Sequence, residues 1–200
     1  MTRSRVNSAT WYDQHSDRYI GDTGHLDLSP LYARFLAHLP GRARILDAGC
    51  GSGRDALAFQ RLGHNVVATD ASSAMARHAS GVLNQEVLHL RHEEIAFVDE
   101  FDGIWSNASL LHVPRADLPE VFGRLRRALV PGGVLFTSFK IGEGETFRSE
   151  RIFTNQTAGS LRELIESVSG LELIESWVSN DLRPGREHEQ WLNSLCRRSD

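Results

Sequence analysis

The stretch between residues 47 and 53 holds the residue types in this 200-residue chain whose spacing best suits ligand chemistry. Three glycines, Gly49, Gly51 and Gly53, alternate with other residues directly after a short apolar run. Glycine permits a tight turn from a strand into a helix, and it lets a ligand approach the backbone closely. Ligands of parallel sheets bind at the carboxyl ends of the strands, where such a turn lies. The spacing therefore predicts a ligand site at this turn.

The glycine spacing also narrows the kind of ligand. The dinucleotide-binding pattern would place its third glycine at position 54, where this chain has Arg54. No Lys followed by Ser or Thr comes after the turn, which excludes a P-loop. An acidic residue, Asp70, ends the next apolar segment, and a carboxylate there can accept hydrogen bonds from both hydroxyls of a ribose. The alternative is that Asp70 caps a helix beginning at Ser72 or Ser73. The glycine turn upstream favours the ribose interpretation.

Four segments, taken in order, resemble the class I S-adenosylmethionine (SAM)-dependent methyltransferase family. They are ILDAGCGSGRD at 45–55, VVATDAS at 66–72, FDGIWSNASLLHV at 101–113 and LVPGGVLFTSF at 129–139. The resemblance covers residues 43–139. It implies a Rossmann-like α/β fold, SAM as the cofactor, and transfer of the SAM methyl group to an acceptor by direct displacement.

The resemblance also implies which residues surround the cofactor. Followed from the methionine to the adenine of SAM, they are Asp47 near the amino group, Asn107 beside the sulfonium, Gly49 and Gly51 under the methionine and ribose, Asp70 at the ribose, and Ala71, His92 and Glu93 at the adenine. His92 departs from the acidic residue that the family often carries nearby.

Three further side chains are expected to contact the cofactor. Tyr12 and Tyr19 lie seven residues apart and so share one face of a helix. They could close over the cofactor as a lid, or pack that helix on the sheet, and the polarity of the segment favours the lid. Arg54 opens the first helix after the glycine turn, where it either reaches the methionine carboxylate or stays on the surface.

His112 is the candidate catalytic residue. It follows the predicted fourth strand, where cofactor and acceptor should meet. A histidine with a pKa near neutrality can take a proton from the attacking atom of the acceptor. The alternative is a loop histidine that bonds the backbone, because many methyl transfers need no strong base.

Apolar segments that alternate with helices must position these residues. They predict seven strands, at 44–48, 65–70, 86–90, 101–106, 134–139, 171–178 and 191–196. The alternation indicates βαβ units, and hence a Rossmann-like, mostly parallel sheet with helices on both faces. The short link between the last two strands allows an antiparallel hairpin at the C-terminal edge.

These elements predict one methyltransferase domain over residues 1–200. Within it we expect an N-terminal helical lid at 1–40, a SAM-binding core at 41–140, and a sheet edge with the substrate side at 141–200.

Composition limits the partners. The net charge of 22 − 26 = −4 does not suit a protein that holds nucleic acid by its phosphates, so nucleic acid is not the expected partner. The two cysteines form no zinc-binding spacing, and no metal is expected. There is neither a secretory signal nor an apolar run that could span a membrane, so a cytoplasmic location is expected. The oligomeric state has no signal in the sequence.

The loop after the fourth strand indicates which class of methyl acceptor to expect. It reads Ser106-Asn107-Ala108-Ser109, and it lacks both the Asn/Asp-Pro-Pro-Tyr and the Pro-Cys patterns of nucleic-acid methyltransferases. A small-molecule acceptor is therefore expected. Two other functions stay open at this point: a SAM-binding regulatory module without turnover, and, less in keeping with Arg54, an NAD(P)-dependent oxidoreductase.

Overall fold

A seven-stranded sheet and a separate two-stranded hairpin make up the β-structure of the computed structural model, which describes residues 8–199. The strands are, in chain order, β1 (Arg44–Ala48), β2 (Asn65–Asp70), β3 (Leu88–His89), β4 (Phe101–Ser106), β5 (Leu129–Lys140), β6 (Glu145–Arg148), β7 (Arg151–Thr154), β8 (Leu171–Asn180) and β9 (Gln190–Arg198). The large sheet has the order β3-β2-β1-β4-β5-β9-β8, and β6 pairs with β7.

Helices flank the sheet. They are α1 (Ser8–Thr23), α2 (Ser29–Leu36), α3 (Arg54–Arg61), α4 (Ser73–Leu83), α5 (Leu118–Ala128) and α6 (Ala158–Glu166). Two short 3-10 turns, His92–Glu94 and Leu110–His112, follow β3 and β4 at the carboxyl ends of the strands. Residues 1–7 of the predicted lid segment lie outside the described residues.

The predicted sheet is confirmed. The five strands from β3 to β5 pair in parallel, and β9 runs antiparallel to both β5 and β8, so the last two strands form the expected edge hairpin. The order in which the chain adds strands reverses between β1 and β4, because β2 and β3 lie on one side of β1 whereas β4 and β5 lie on the other, and this leaves a crevice at the ends of β1 and β4. Such a crevice is where open α/β sheets bind ligands.

The hairpin of β6 and β7 was not predicted. Its turn places Ser149 and Glu150 at positive φ, +47° and +62°, where hairpin turns ordinarily carry Asn or Gly. The turn therefore gave no compositional signal. The strands are only four residues long, and the regular burial pattern of β7 is absent from β6, so the sequence gave little signal here either.

Two apolar layers fix the helices to the sheet. On one face, Phe35 of α2 and Phe59 of α3 pack against Trp105 of β4. On the other, Phe122 of α5 and Ile165 of α6 belong to a second buried cluster. Both faces of the central strands are thus covered, as a parallel sheet requires.

The structure can be searched for a membrane-spanning helix and for a metal site only within the residues that it describes. None of the helices within residues 8–199 combines the length and apolar character needed to cross a bilayer. In the same part of the chain, no three His, Cys, Asp or Glu side chains are grouped so that they could hold a metal ion. The cytoplasmic location stays a prediction.

The contact between α2 and β4 depends on a glycine. A Cβ atom at Gly103 would lie 2.6 Å from Cζ of Phe35 and 2.7 Å from Cδ1 of Leu39. We expect Gly103→Ala to lower the free energy of unfolding by about 1–3 kcal/mol, because a methyl group forced into a filled core displaces its neighbours. Urea denaturation monitored by circular dichroism measures this change.

A second glycine serves as the control. Gly123 lies inside α5, and a Cβ there would meet no atom within 4 Å. Gly123→Ala should raise the free energy of unfolding by about 0.5–1 kcal/mol, because alanine loses less backbone entropy in a helix. Equal effects of the two substitutions would contradict the packing of α2 on Gly103.

Candidate functional site

A cavity of about 390 Å³ opens at the carboxyl ends of the parallel strands, and we call it the cleft. Eleven of the twelve residues predicted from the sequence line it. They are Tyr12, Tyr19, Gly49, Gly51, Arg54, Asp70, Ala71, His92, Glu93, Asn107 and His112. Asp47 does not line the cleft; it lies buried below its floor, with 2% of its surface exposed. The residues are brought together because the turns after β1, β2, β3 and β4 meet at one edge of the sheet.

The glycine turn forms the floor of the cleft. Gly49 and Gly51 have positive φ, +83° and +54°. A Cβ at Gly49 would lie 1.8 Å from Oγ of Ser109, in the loop after β4, so no side chain fits there. The turn is therefore held close to the loop opposite, and its backbone faces the cleft.

Asp70 joins the turn after β2 to the glycine turn. Its Oδ2 accepts a hydrogen bond from the backbone N–H of Gly51 and its Oδ1 from that of Ser72, both at 2.8 Å. Burial raises the pKa of Asp70 to about 6, although both N–H groups favour the ionised form. The residue that caps α4 is Ser72, whose Oγ accepts from the N–H of Met75. Asp70 is thus not the helix cap, and its carboxylate borders the cleft.

Asp55, at the start of α3, accepts hydrogen bonds from several side chains around the cleft, and the sequence did not reveal this. Its carboxylate accepts hydrogen bonds from the Tyr32 hydroxyl at 2.6 Å, Nε of Arg54 at 2.5 Å and Nε1 of Trp105 at 2.8 Å. A longer bond of 3.3 Å comes from Nδ2 of Asn107. Although burial alone would raise it, Arg54 and these donors hold the pKa of Asp55 below its ordinary value.

Asn107 and Arg54 are oriented by this carboxylate. Oδ1 of Asn107 accepts from the Ser138 hydroxyl at 2.8 Å, so both ends of its amide are fixed. Nη1 of Arg54 donates to the carbonyl of Thr23 at 2.8 Å. With Nε on Asp55 and Nη1 on Thr23, the guanidinium is held in place at the wall of the cleft.

Asp47, on β1, carries a buried oxygen without a partner. No described residue donates to its Oδ2. Burial, followed by the negative charge of Asp55, raises the pKa of Asp47 well above its ordinary value. An unpaired buried carboxyl oxygen costs free energy, so this position is suited to an incoming donor or cation near the floor of the cleft.

Helix α1 covers the cleft with the two predicted tyrosines. Tyr12 and Tyr19 meet edge to face, with ring centroids 5.0 Å apart, and both line the cleft. The helix is attached by Asp13, whose Oδ1 accepts from the N–H of Ala74 at 3.0 Å and from the hydroxyl of Ser72 at 2.7 Å. These bonds place the tyrosines over the glycine turn, as a lid requires.

His112 is held in one tautomer. Its Nδ1 lies 2.8 Å from the carbonyl oxygen of Ile152, which can only accept, so Nδ1 carries the proton. Its Nε2 lies 2.8 Å from the Tyr12 hydroxyl, which therefore donates to it. Burial lowers the pKa of His112 to about 4. Nη1 of Arg151 approaches the same hydroxyl at 3.3 Å.

His92 contacts the loop opposite. Its Nε2 lies 2.8 Å from the Ser109 hydroxyl, whereas its buried Nδ1 has no partner among the described residues. Burial lowers the pKa of His92 to about 4, so the ring is neutral near pH 7.

The unpredicted hairpin forms the far wall of the cleft. We call this wall the hairpin end and define it by Tyr12, His112, Asp117, Glu145, Phe147 and Ile152. Only long-range packing brings β6 and β7 here: the Thr154 hydroxyl donates to the Val113 carbonyl at 2.7 Å, and Ile152 bonds His112. No local pattern in residues 145–154 signals these contacts.

Comparison with known proteins gives a family match and curated relatives. Residues 45–133 match a family described as "Methyltransferase domain". Malonyl-[acyl-carrier protein] O-methyltransferase of Erwinia pyrifoliae is 36% identical over 144 residues, which cover 68% of this chain and 49% of that protein. Methyltransferase GfsG of Streptomyces halstedii is 28% identical over 208 residues, which cover 92% and 72%. The chain spans about half the length of most curated relatives that it matches.

A solved structure supports the fold. The 1,6-didemethyltoxoflavin-N1-methyltransferase of Burkholderia thailandensis, solved with 1,6-didemethyltoxoflavin and S-adenosylhomocysteine bound, superposes with a TM-score of 0.77. It is 24% identical, and the match covers 96% of this chain and 86% of that one.

Removing the charge of Asp55 and that of Asp47 should change the free energy of unfolding in opposite directions. Asp55→Asn should lower the free energy of unfolding by about 2–4 kcal/mol near pH 8, because it removes a buried charge paired with Arg54. Asp47→Asn should raise it by about 1 kcal/mol, because the folded state disfavours ionised Asp47. Urea denaturation at several pH values measures both.

The pH dependence distinguishes the two carboxyl groups. The folded state depresses the pKa of Asp55, so the stability it contributes is present above the unfolded pKa and is lost as pH falls through the folded one. The folded state raises the pKa of Asp47, so its contribution is present at acid pH and is lost as pH rises. The gain from Asp47→Asn should therefore vanish near pH 4. Destabilisation by both variants at pH 8 would refute this assignment.

The state of His112 can be measured without any ligand. We expect 15N–1H correlation spectra to show Nδ1 protonated and Nε2 unprotonated from pH 5 to pH 8, because burial holds its pKa near 4. His112→Gln assigns the signal by removing it. A titration of this ring between pH 6 and pH 7 would contradict the buried, Tyr12-bonded geometry.

Proposed function

We propose that this chain binds SAM in the cleft and transfers its methyl group to a small-molecule acceptor. The proposal starts from residues 45–133, which form a methyltransferase domain of the class I SAM-dependent family. The observation that carries the proposal is the junction of the glycine turn with Asp70, which leaves a bare backbone floor beside a half-buried carboxylate. The relatives named as methyltransferases and the shared fold support it.

The residues present fit this cofactor. Each Asp70 oxygen accepts one backbone N–H and keeps a further lone pair for a ribose hydroxyl. The unpaired Oδ2 of Asp47 lies below the floor, where it favours the ammonium group of the methionine moiety. The Arg54 guanidinium, held by Asp55 and Thr23, lines the cleft and would lie near the methionine carboxylate, and the His92 ring lines it beside the adenine.

The protein's own part in the reaction is to position the cofactor and the acceptor and to exclude water. When bound, SAM supplies a methyl group activated by its sulfonium. Tyr12 and Tyr19 cover the cleft and keep water from it. Asn107, fixed by Asp55 and Ser138, provides a rigid edge at the end of β4. Alignment of this kind provides much of the rate gain when the leaving group is already activated.

His112 acts through Tyr12. Its basic nitrogen Nε2 accepts the Tyr12 hydroxyl proton, and its low pKa makes the ring a weak base. The histidine therefore orients Tyr12, which lines the cleft and whose oxygen accepts a hydrogen bond from Nη1 of Arg151 at 3.3 Å. This role differs from direct proton abstraction by His112, and it suits acceptors that need no strong base.

The open hairpin end favours turnover over a regulatory module. A module without turnover would be expected to fill the space beside Asn107 with large apolar side chains. Instead the cleft continues past Asn107 to His112, Glu145 and Phe147. An NAD(P)-dependent oxidoreductase is disfavoured because Arg54, at the third-glycine position, is engaged with Asp55.

The Asp70 carboxylate gives a direct test of SAM binding. By isothermal titration calorimetry, Asp70→Asn should weaken SAM binding by about 1–3 kcal/mol, the loss expected for charged hydrogen bonds. The wild-type affinity should fall about tenfold from pH 7.5 to pH 5, because Asp70, with a pKa of about 6, becomes protonated over that interval. The variant should lose most of this pH dependence.

Two controls accompany this experiment. Asp17→Asn changes an exposed carboxylate of α1 outside the cleft and should leave SAM affinity unchanged. NADH, titrated into the same wild-type protein, should give no binding heat. Unchanged SAM affinity in a folded Asp70→Asn variant, or NADH binding in place of SAM, would overturn the proposed function.

A further inference from the structure

Arg151 lies between the hairpin and the lid. It is the first residue of β7, it is half-buried, and its guanidinium contacts three aromatic rings. Its Cζ lies 3.5 Å from the ring centroid of Trp11, 5.2 Å from that of Phe153 and 5.5 Å from that of Tyr12. A guanidinium this close to an aromatic face is attracted by the negative charge of that face. Because Trp11 and Tyr12 belong to α1, these contacts join the hairpin to the lid.

Aromatic rings, and not a carboxylate, surround this guanidinium in the described part of the chain. Within residues 8–199, no Asp or Glu oxygen lies within ion-pair distance of Arg151, and its buried Nε has no hydrogen-bond partner there. A partly dehydrated cation without an ion pair depends on the ring faces around it. The residue therefore does not serve a surface salt bridge, and loss of its guanidinium should act on Trp11 and Tyr12.

The same guanidinium fixes the Tyr12 hydroxyl. Nη1 of Arg151 donates to the hydroxyl oxygen at 3.3 Å, and the hydroxyl donates to Nε2 of His112 at 2.8 Å. Nδ1 of His112 in turn donates to the carbonyl of Ile152, the residue next to Arg151. Two consecutive residues of β7 thus hold both the lid tyrosine and the histidine that it bonds.

Helix α1 depends on such side-chain contacts. It is polar, and its backbone is non-helical at His15, with φ −127° and ψ 21°. On the side of α4 it is attached through Asp13. On the side of the hairpin, Oγ of Ser8 accepts a backbone N–H of β7 at 3.3 Å, and Arg151 contacts the two rings. Because the kink follows Tyr12, the hairpin contacts act on the first half of the helix.

We infer that Arg151 is a positioning residue of the cleft, because it holds the first half of α1 against the hairpin and so determines how long a ligand stays beneath the lid. We call its contacts with Trp11 and Tyr12 the clamp. Arg151 does not itself line the cleft, so it acts through Tyr12, which does. The clamp rests on the proposed function only in that the ligand is SAM or its product S-adenosylhomocysteine.

The charge of Arg151 gives the clamp a spectroscopic signature. Burial, opposed by the bond to the Ile152 carbonyl, lowers the pKa of His112 to about 4, and the charges of Arg151 and His92 act in the same direction as burial. These groups face the ring from β7 and from the turn after β3, and the Tyr12 hydroxyl faces it from α1. Removing the charge at position 151 should therefore move the His112 titration to higher pH, because the protonated ring loses a like charge nearby.

Matched substitutions in the ligand-free protein test the clamp. Arg151→Met keeps the bulk of the side chain but removes the cation, and it should speed hydrogen exchange of the α1 amides about tenfold, the scale of a lost cation–π contact. In 15N–1H spectra the His112 midpoint should rise by about half a pH unit or more. Arg148→Met makes the same change at the residue that pairs with Arg151 across the hairpin, and it should leave both measurements at wild-type values.

A third variant separates charge from shape. Arg151→Lys keeps the positive charge but not the planar guanidinium, so it should leave the His112 midpoint near its wild-type value and restore slow exchange of α1 in part. Circular dichroism checks that each variant is folded. Wild-type exchange of α1 in folded Arg151→Met, or equal effects of Arg151→Met and Arg148→Met, would overturn the clamp.

Release of S-adenosylhomocysteine separates the clamp from the proposed function. Measured by stopped-flow displacement, release should be about fivefold or more faster from Arg151→Met than from Arg148→Met, because the lid opens more often. If S-adenosylhomocysteine does not bind the wild-type protein, the proposed function fails, and the exchange measurements still decide on the clamp. If it binds and leaves both variants at the same rate, the proposed function stands and the clamp is wrong.

Discussion

The buried carboxylate of Asp55 is the interaction on which the geometry of the cleft depends. Helix α2 reaches it through Tyr32, the core of the sheet through Trp105, and the loop after β4 through Asn107. Arg54 neutralises it from the first turn of α3. A charge removed from water at this depth is tolerated only when its oxygens are satisfied, and here the donors come from separate elements. One residue therefore keeps the glycine turn and the end of β4 at a constant separation.

A second constraint acts from above the sheet. Helix α1 is too polar to be held by an apolar face, and it is instead attached through Asp13 to the start of α4. Tyr12 attaches its other side to His112, which the Ile152 carbonyl fixes from the hairpin. The lid and the far wall thus share one chain of hydrogen bonds. Desolvation of this chain explains why His112 is neutral and why its basic nitrogen is not free.

Most of the sheet could be predicted from the sequence because its signals are local. Alternating apolar segments, the glycine turn and Asp70 each report a backbone conformation or a strand end within a few residues. Tyr12 and Tyr19 do meet at the cleft, but a kink at His15 separates them, so their contact does not follow from helical spacing alone. Asp55 could not be predicted, because its partners come from distant parts of the chain and nothing near residue 55 signals them. The hairpin was missed because Ser149 and Glu150 replace the usual turn residues, and the depth of Asp47 below the cleft had no signal in the sequence.

The bond between Tyr12 and His112 has a consequence for the order of events at the cleft. Tyr12 lies in α1, which covers the glycine turn, and it also belongs to the hairpin end, where the methyl acceptor would rest. Lifting α1 far enough to empty the floor must break the Tyr12 bond and so loosen that wall as well. Under the proposed function, the spent cofactor and the methylated product would leave through the same opening movement. A methyl acceptor bound at the hairpin end would then slow release of the cofactor from the glycine turn.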